Sequence, residues 1–223
     1  MHNVVERLIA IQSEIKDLLI KNNSQNKDPN IIIVCKTFSM DKILPLINVG
    51  HVHFGENKVQ EAELKWKEIK KKHSSIKLHM VGKLQTNKVK TALDIFDYIH
   101  SVDNYKLAKK IVKYEKELNK KIKAFAQVNV GGESQKSGIN PKNVGQFVNY
   151  CKNSLSLNII GLMCLPPIDD NPEKYFLHLN QLRNQTDLCH LSVGMSNDYQ
   201  TAIKCGSTFL RIGSKILGER NTS

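Results

Sequence analysis

The stretch Ile31-Ile32-Ile33-Val34-Cys35-Lys36-Thr37-Phe38-Ser39 is the most apolar run of the chain, and it ends abruptly on a charge. Four β-branched residues followed by a cysteine read as a strand buried on both faces, as strands of parallel sheets are. The residues after Lys36 lead into a helix start near Asp41. Seven further strand-like runs follow: His51–Phe54, Lys77–Val81, Tyr98–Val102, Lys123–Val130, Asn158–Met163, Cys189–Val193 and Thr208–Ile212. Segments of helical periodicity lie between most of them, including Glu56–Lys72, Tyr105–Leu118, Pro141–Lys152 and Pro172–Thr186. Before the first strand, Val5, Leu8, Ile11, Ile15, Leu18 and Leu19 mark an amphipathic helix that ends in the polar stretch Asn22–Pro29. Strands alternating with helices imply βαβ units and a parallel sheet. Eight such units predict an α/β protein, a single (β/α)8 TIM barrel with an extra N-terminal helix, compact against the usual ~250 residues. A doubly wound open sheet is the alternative. Without a repeat, low-complexity segment or linker, residues 1–223 read as one domain.

Composition bounds the function. Of 223 residues, 40% are apolar and 24% charged, as in an ordinary globular chain. The apolar runs are too short to span a bilayer, and the N-terminus lacks a signal-peptide pattern. Net charge is +12, which invites a polyanion reading, but 29 of the 33 basic residues are Lys. Specific readers of nucleic acid lean on the guanidinium fork, and aromatic residues at 6% are thin for base stacking. The charge therefore reads as solvated helix surface, with neither nucleic acid nor membrane as partner. Five cysteines with no C-x-x-C pair lie in or beside apolar segments, which fits reduced thiols in the cytoplasm. His51-x-His53 shares a strand face but has no further ligand at metal spacing, so no metal site is expected.

In a parallel barrel the carboxyl ends of the strands face the site. A lysine there, Lys36, sits partly desolvated, which favours a nucleophilic amine able to form a Schiff base. The last two strands run into small-residue loops, Ser192-Val193-Gly194-Met195-Ser196-Asn197-Asp198 and Arg211-Ile212-Gly213-Ser214. Barrels frequently bind phosphate there, and Gly213 and Ser214 supply close backbone approach and a hydroxyl. A first-strand lysine beside an eighth-strand phosphate cradle describes a phosphorylated aldehyde, pyridoxal 5′-phosphate (PLP). Arg211, one of only four arginines, stands where a partner for the pyridine nitrogen is needed. An arginine there leaves the ring a weaker electron sink than a carboxylate would.

The segments Cys35-Lys36-Thr37, His53-Phe54-Gly55-Glu56-Asn57, Gly82-Lys83-Leu84-Gln85-Thr86-Asn87-Lys88, Lys136-Ser137-Gly138-Ile139, Leu191–Ser196 and Arg211–Ser214 stand in family order. Over residues 4–220 the chain resembles the YggS/PROSC family of PLP homeostasis proteins, whose barrel is related to the N-terminal domain of alanine racemase. The resemblance implies that Lys36 holds PLP as an internal aldimine, that Ser192, Gly213 and Ser214 bind its phosphate, and that Arg211 faces the ring nitrogen. It also implies that Asn57 lines the pocket, with His79 a further candidate and Lys136 a candidate secondary acceptor. The family often carries a second lysine where this chain has Phe38. No catalytic residue is implied.

The function expected is a PLP carrier working as a monomer, holding the cofactor and supplying it to apo PLP-dependent enzymes. The alternative is a PLP-dependent amino-acid racemase. A two-base racemase needs a second acid/base within hydrogen-bond reach; Tyr199 follows the strand-seven loop but lies on an expected helix, and the second domain that supplies the second base, a tyrosine, in alanine racemases has no room in 223 residues. A class I aldolase ranks lower, since it does not require the Arg211 and strand-eight pairing.

Overall fold

The computed structural model describes residues 2–22, 28–133 and 135–219. Eight strands form: β1 (Asn30–Val34), β2 (His53–Glu56), β3 (Lys77–Met80), β4 (Tyr98–Val102), β5 (Lys123–Gln127), β6 (Ile159–Met163), β7 (His190–Met195) and β8 (Phe209–Ile212). They pair in parallel and in chain order, and β1 closes on β8 with Asn30–Ile33 opposite Phe209–Ile212. That pairing makes a closed (β/α)8 barrel and excludes the open sheet. The helices are α1 (Asn3–Lys21), α2 (Met40–Asn48), α3 (Val59–Lys72), α4 (Val89–Ile95), α5 (Tyr105–Glu117), α6 (Val144–Asn149), α7 (Pro172–Gln185), α8 (Tyr199–Lys204) and α9 (Ser214–Leu217). The extra helix, α1, buries Val5, Leu8, Ile11, Ile15 and Leu19 and packs against α2, α8 and α9. No helix of the described residues is long and apolar enough to cross a membrane.

Several boundaries differ from the sequence reading; β1 stops at Val34, short of the expected Lys36, and three others have a clear local reason. Glu56 belongs to β2, where Trp66 and Lys65 hydrogen-bond its buried carboxylate, so the helix expected from Glu56 starts at Val59. β5 ends at Gln127, after which Val128 bridges to Ile139. β7 runs on to Met195, two residues past the expected Val193, so the loop after it starts at Ser196 and Ser192 lies well inside the strand. Residues 23–27 of the polar stretch after α1 lie outside the described residues.

The core has two shells. Ile33, Phe54, Trp66, Ile99, Leu162 and Phe176 belong to a shell between strands and helices, while Ile32, Tyr98, Phe125, Met163 and Phe209 fill the lumen. Branched aliphatic residues usually dominate a barrel lumen; here rings do. His79 stacks on Tyr98 and His100 on Phe125, each with centroids 4.2 Å apart, and both imidazoles are fully buried. Burial disfavours the imidazolium and lowers the pKa of both; His53, half-buried at the first residue of β2, is lowered to about 4.

In the unfolded chain these histidines take up protons near 6.5, while in the barrel they stay neutral. The unfolded state thus binds more protons between about pH 6.5 and about pH 4, and stability falls as pH drops through that window. Each of His79 and His100 should contribute a loss of about 1.4 kcal/mol per pH unit. Urea midpoints should fall steadily from about pH 7 to about pH 5; a flat profile would show that the rings are charged in the fold.

Candidate functional site

Lys36 lies two residues past the end of β1, after Cys35, and what fixes it lies behind the strand. Thr37 takes φ = 58°, a conformation that costs a β-branched residue energy unless its surroundings hold it. Glu61 of α3 holds it by accepting the Thr37 N–H. The Lys65 ammonium lies 2.9 Å from Glu56 and 3.2 Å from Glu61, and donates to the Cys35 carbonyl at 3.1 Å. The Trp66 indole donates to Glu56 at 2.9 Å. This cluster clamps the backbone on both sides of Lys36, which lines a cavity at the carboxyl ends of the strands. Burial pushes the Glu56 carboxyl up despite both donors, and one of its oxygens has no partner.

The opposite wall comes from β7 and β8. Gly194 has φ = 94°, and a Cβ there would lie 2.6 Å from the Cβ of Ala202, so only glycine makes this turn. The turn carries Met195 and Ser196 to the cavity, with Asp198 accepting the Met195 N–H. The Ser196 hydroxyl accepts from the backbone N–H groups of Gly213 at 3.3 Å and Lys215 at 3.4 Å. A Cβ on Gly213 would come within 3.3 Å of the Val34 carbonyl, so the ends of β8 and β1 lie against each other.

The cavity measures about 630 Å³, within the range of small-molecule sites. Of the residues singled out in the sequence, Lys36, Asn57, Arg211, Gly213 and Ser214 all line it, as does Lys136. Lys136 is paired with Glu133 at 2.5 Å and donates to the Pro166 carbonyl at 3.2 Å. Lys36, Lys83, Lys136 and Arg211 supply four cations to the lining against one carboxylate, Asp198, so the field inside favours an anion. Arg211 is buried, and its hydrogen bonds go to oxygens of Ser192 and to the Cys164 carbonyl at 3.0 Å.

Ser192 and His79 are not brought to the cavity. Ser192 is fully buried in β7, and its hydroxyl is taken up by Arg211 Nη1 and His100 Nδ1, each at 2.8 Å. His79 sits in the lumen between His53 at 2.9 Å and His100 at 3.0 Å. The serine that presents itself at the rim is Ser196, four residues further on. It stood in the same loop reading, and a strand continuing through Val193 to a left-handed Gly194 is the signal that separates the two. Tyr199 is also elsewhere: its hydroxyl donates to Glu14 of α1 and it does not line the cavity.

A closed parallel barrel with a lysine at the end of β1 and a cationic, glycine-bearing rim at β8 defines the class of the alanine racemase N-terminal domain. The sequence profile of that domain family matches residues 10–221. A pyridoxal phosphate homeostasis protein of Aquifex aeolicus (strain VF5) is 34% identical over 227 residues, covering 98% of this chain and 99% of its own. One of Vibrio cholerae serotype O1 is 31% identical, covering 100% and 99%. The structure of PipY of Synechococcus elongatus PCC7942 with PLP bound superposes with a TM-score of 0.78 at 30% identity, covering 92% of this chain and 100% of PipY. An alanine racemase of Clostridium difficile 630 shares the fold alone, at 15% identity and TM-score 0.72, with 57% of its chain covered. The chain belongs to the YggS/PROSC family of pyridoxal phosphate homeostasis proteins.

The clamp on Thr37 makes a stability prediction. Glu61→Leu removes the acceptor and should lower the unfolding free energy by about 1–3 kcal/mol in urea titrations, whereas Glu61→Gln, which keeps an acceptor oxygen, should cost less. Equal losses would mean that Glu61 does not hold the turn.

Proposed function

We propose that this chain binds PLP in the barrel-mouth cavity, with the aldehyde joined to Lys36, and holds it for supply to apo PLP-dependent enzymes rather than turning over a substrate. The observation that carries this reading is that Lys36, Arg211 and the rim of Ser196, Gly213 and Ser214 line one cavity. Family membership and the PLP bound in PipY support it.

The residues fit the group. When bound, PLP supplies an aldehyde that condenses reversibly with a primary amine and a phosphate that anchors it. The cationic lining suits that phosphate, and the Gly213 and Lys215 N–H groups, now on Ser196, are donors of the kind phosphate sites use. In this reading Ser196 replaces Ser192 in the cradle beside Gly213 and Ser214. Asn57 lines the wall next to Gly82, whose missing Cβ lets the two backbones meet. Arg211 carries donors only, so it would donate to a ring nitrogen that bears no proton. Lys136, paired with Glu133, lines the same cavity and is a candidate secondary acceptor.

The carrier reading is favoured over a racemase because Tyr199 is tied to Glu14, away from the cavity. We further propose that residues 1–223 work as one domain and as a monomer, and in the cytoplasm, where its five free thiols would stay reduced.

PLP added to the purified protein should give the visible band of PLP joined to an amine, and Lys36→Ala should abolish it; an unchanged band sinks the Lys36 assignment. Ser196→Ala should weaken PLP binding by about tenfold, one hydrogen bond to a charged group. The loaded protein should activate an apo-aminotransferase and leave L-alanine unracemised. Failure to activate, or racemisation lost in Lys36→Ala, would overturn the carrier reading.

A further inference from the structure

The lumen holds a connected set of polar groups that the cavity does not use. His53 Nδ1 lies 2.9 Å from His79 Nε2, His79 Nδ1 lies 3.0 Å from His100 Nε2, and His100 Nδ1 lies 2.8 Å from the Ser192 hydroxyl. Arg211 Nη1 lies 2.8 Å from that same hydroxyl. The path runs through β2, β3 and β4, crosses the lumen to β7 and ends on β8. We propose that His53, His79 and His100 are positioning residues for Arg211, forming with Ser192 a hydrogen-bond chain of fixed direction that starts at the guanidinium and ends at the first residue of β2. The proposal rests on the reading that Arg211 faces the cofactor ring.

The direction follows from counting donors. A guanidinium has no acceptor, so Ser192 Oγ accepts from Arg211. The serine hydrogen then has one partner within reach, His100 Nδ1, which must be bare to receive it. The opposite arrangement would leave a fully buried hydroxyl hydrogen orphaned, which protein interiors avoid. A bare Nδ1 in a neutral ring puts the proton on Nε2, so His100 donates to His79, and by the same rule His79 donates to His53. All three rings are thereby neutral Nε2–H tautomers, and the one cation of the chain is Arg211.

Two consequences bear on the site. The nitrogen of His53 left outside the chain already carries its proton, so a proton from solvent cannot be added without reversing every bond up to Ser192. The groups facing the rings reinforce this: His51, Lys77 and Lys123 face His53 with Asp97 the one carboxylate, Lys70 and His51 act on His79, and Arg211 on His100. The second consequence is mechanical. Arg211, which lines the cavity, is anchored through Ser192 to β4, so its guanidinium is held from beneath.

The test is a long-range 1H–15N spectrum of the histidine side chains in the apo protein, which needs no cofactor. The proposal expects His53, His79 and His100 as neutral Nε2–H tautomers from about pH 8 to about pH 5. In Ser192→Ala the signals of all three should shift together, because the donor that sets the direction is gone. In His100→Phe, which keeps a ring against Phe125, PLP should bind about tenfold more weakly and the two Arg211 Nη signals should average. Nδ1–H tautomers in the wild type, an imidazolium at about pH 6, or a Ser192→Ala change confined to His100 would overturn the proposal. If Ser192→Ala does not fold, the wild-type tautomers alone decide. A protein that shows the tautomers but binds no PLP would refute the cofactor reading and leave the chain's direction standing.

Discussion

The pairing of β1 with β8 is the constraint on which the site depends. Ile31 pairs with Leu210 and Ile32 with Arg211, partners 179 positions apart in sequence. Without that register, Lys36 and the Gly213 rim would sit on opposite edges of a sheet, and no single small molecule could reach both. Gly213 makes the closure tight, since any side chain there would press on the Val34 carbonyl. A cavity assembled in this way owes its charge to position rather than to the net charge of the chain. Of the many lysines on the surface, the ones that matter are those whose strand ends face inward.

Two supporting structures, one behind each wall, hold the chemistry in place. Behind β1 and β2, Lys65 and Glu61 of α3 act on the backbone on either side of Lys36, and Glu56 carries the cost of burial. Beneath Arg211, a file of neutral imidazoles occupies space that aliphatic side chains fill in most barrels. The two differ in character. The first is ionic and partly reached by solvent, while the second is closed and depends on hydrogen-bond direction. Both place the expense away from the cavity, so the groups that line it are left to interact with a ligand.

The strand runs were legible because parallel strands buried on both faces stand out against amphipathic helices, and Lys36 was legible because it breaks the most apolar of them. Arg211, Gly213 and Ser214 could be placed on one cavity by topology, and Asn57 by the family resemblance. Ser192 reads as a phosphate ligand, whereas its hydroxyl is taken up in the lumen by His100 and Arg211, 92 and 19 residues away, and no local pattern shows those partners. The histidine file was illegible for a related reason. In sequence His53 pairs by eye with His51, whereas its partner in space is His79, 26 residues away. Neither signal is local, so neither periodicity nor composition could reveal it.

The central claim is that one lysine of the three lining the cavity is the one placed for a covalent bond. Incubating the protein with PLP, reducing with borohydride and mapping the modified peptides tests this most directly. The account predicts the cofactor mass fixed on Lys36. Cofactor fixed on Lys83 or Lys136 with Lys36 unmodified would contradict it.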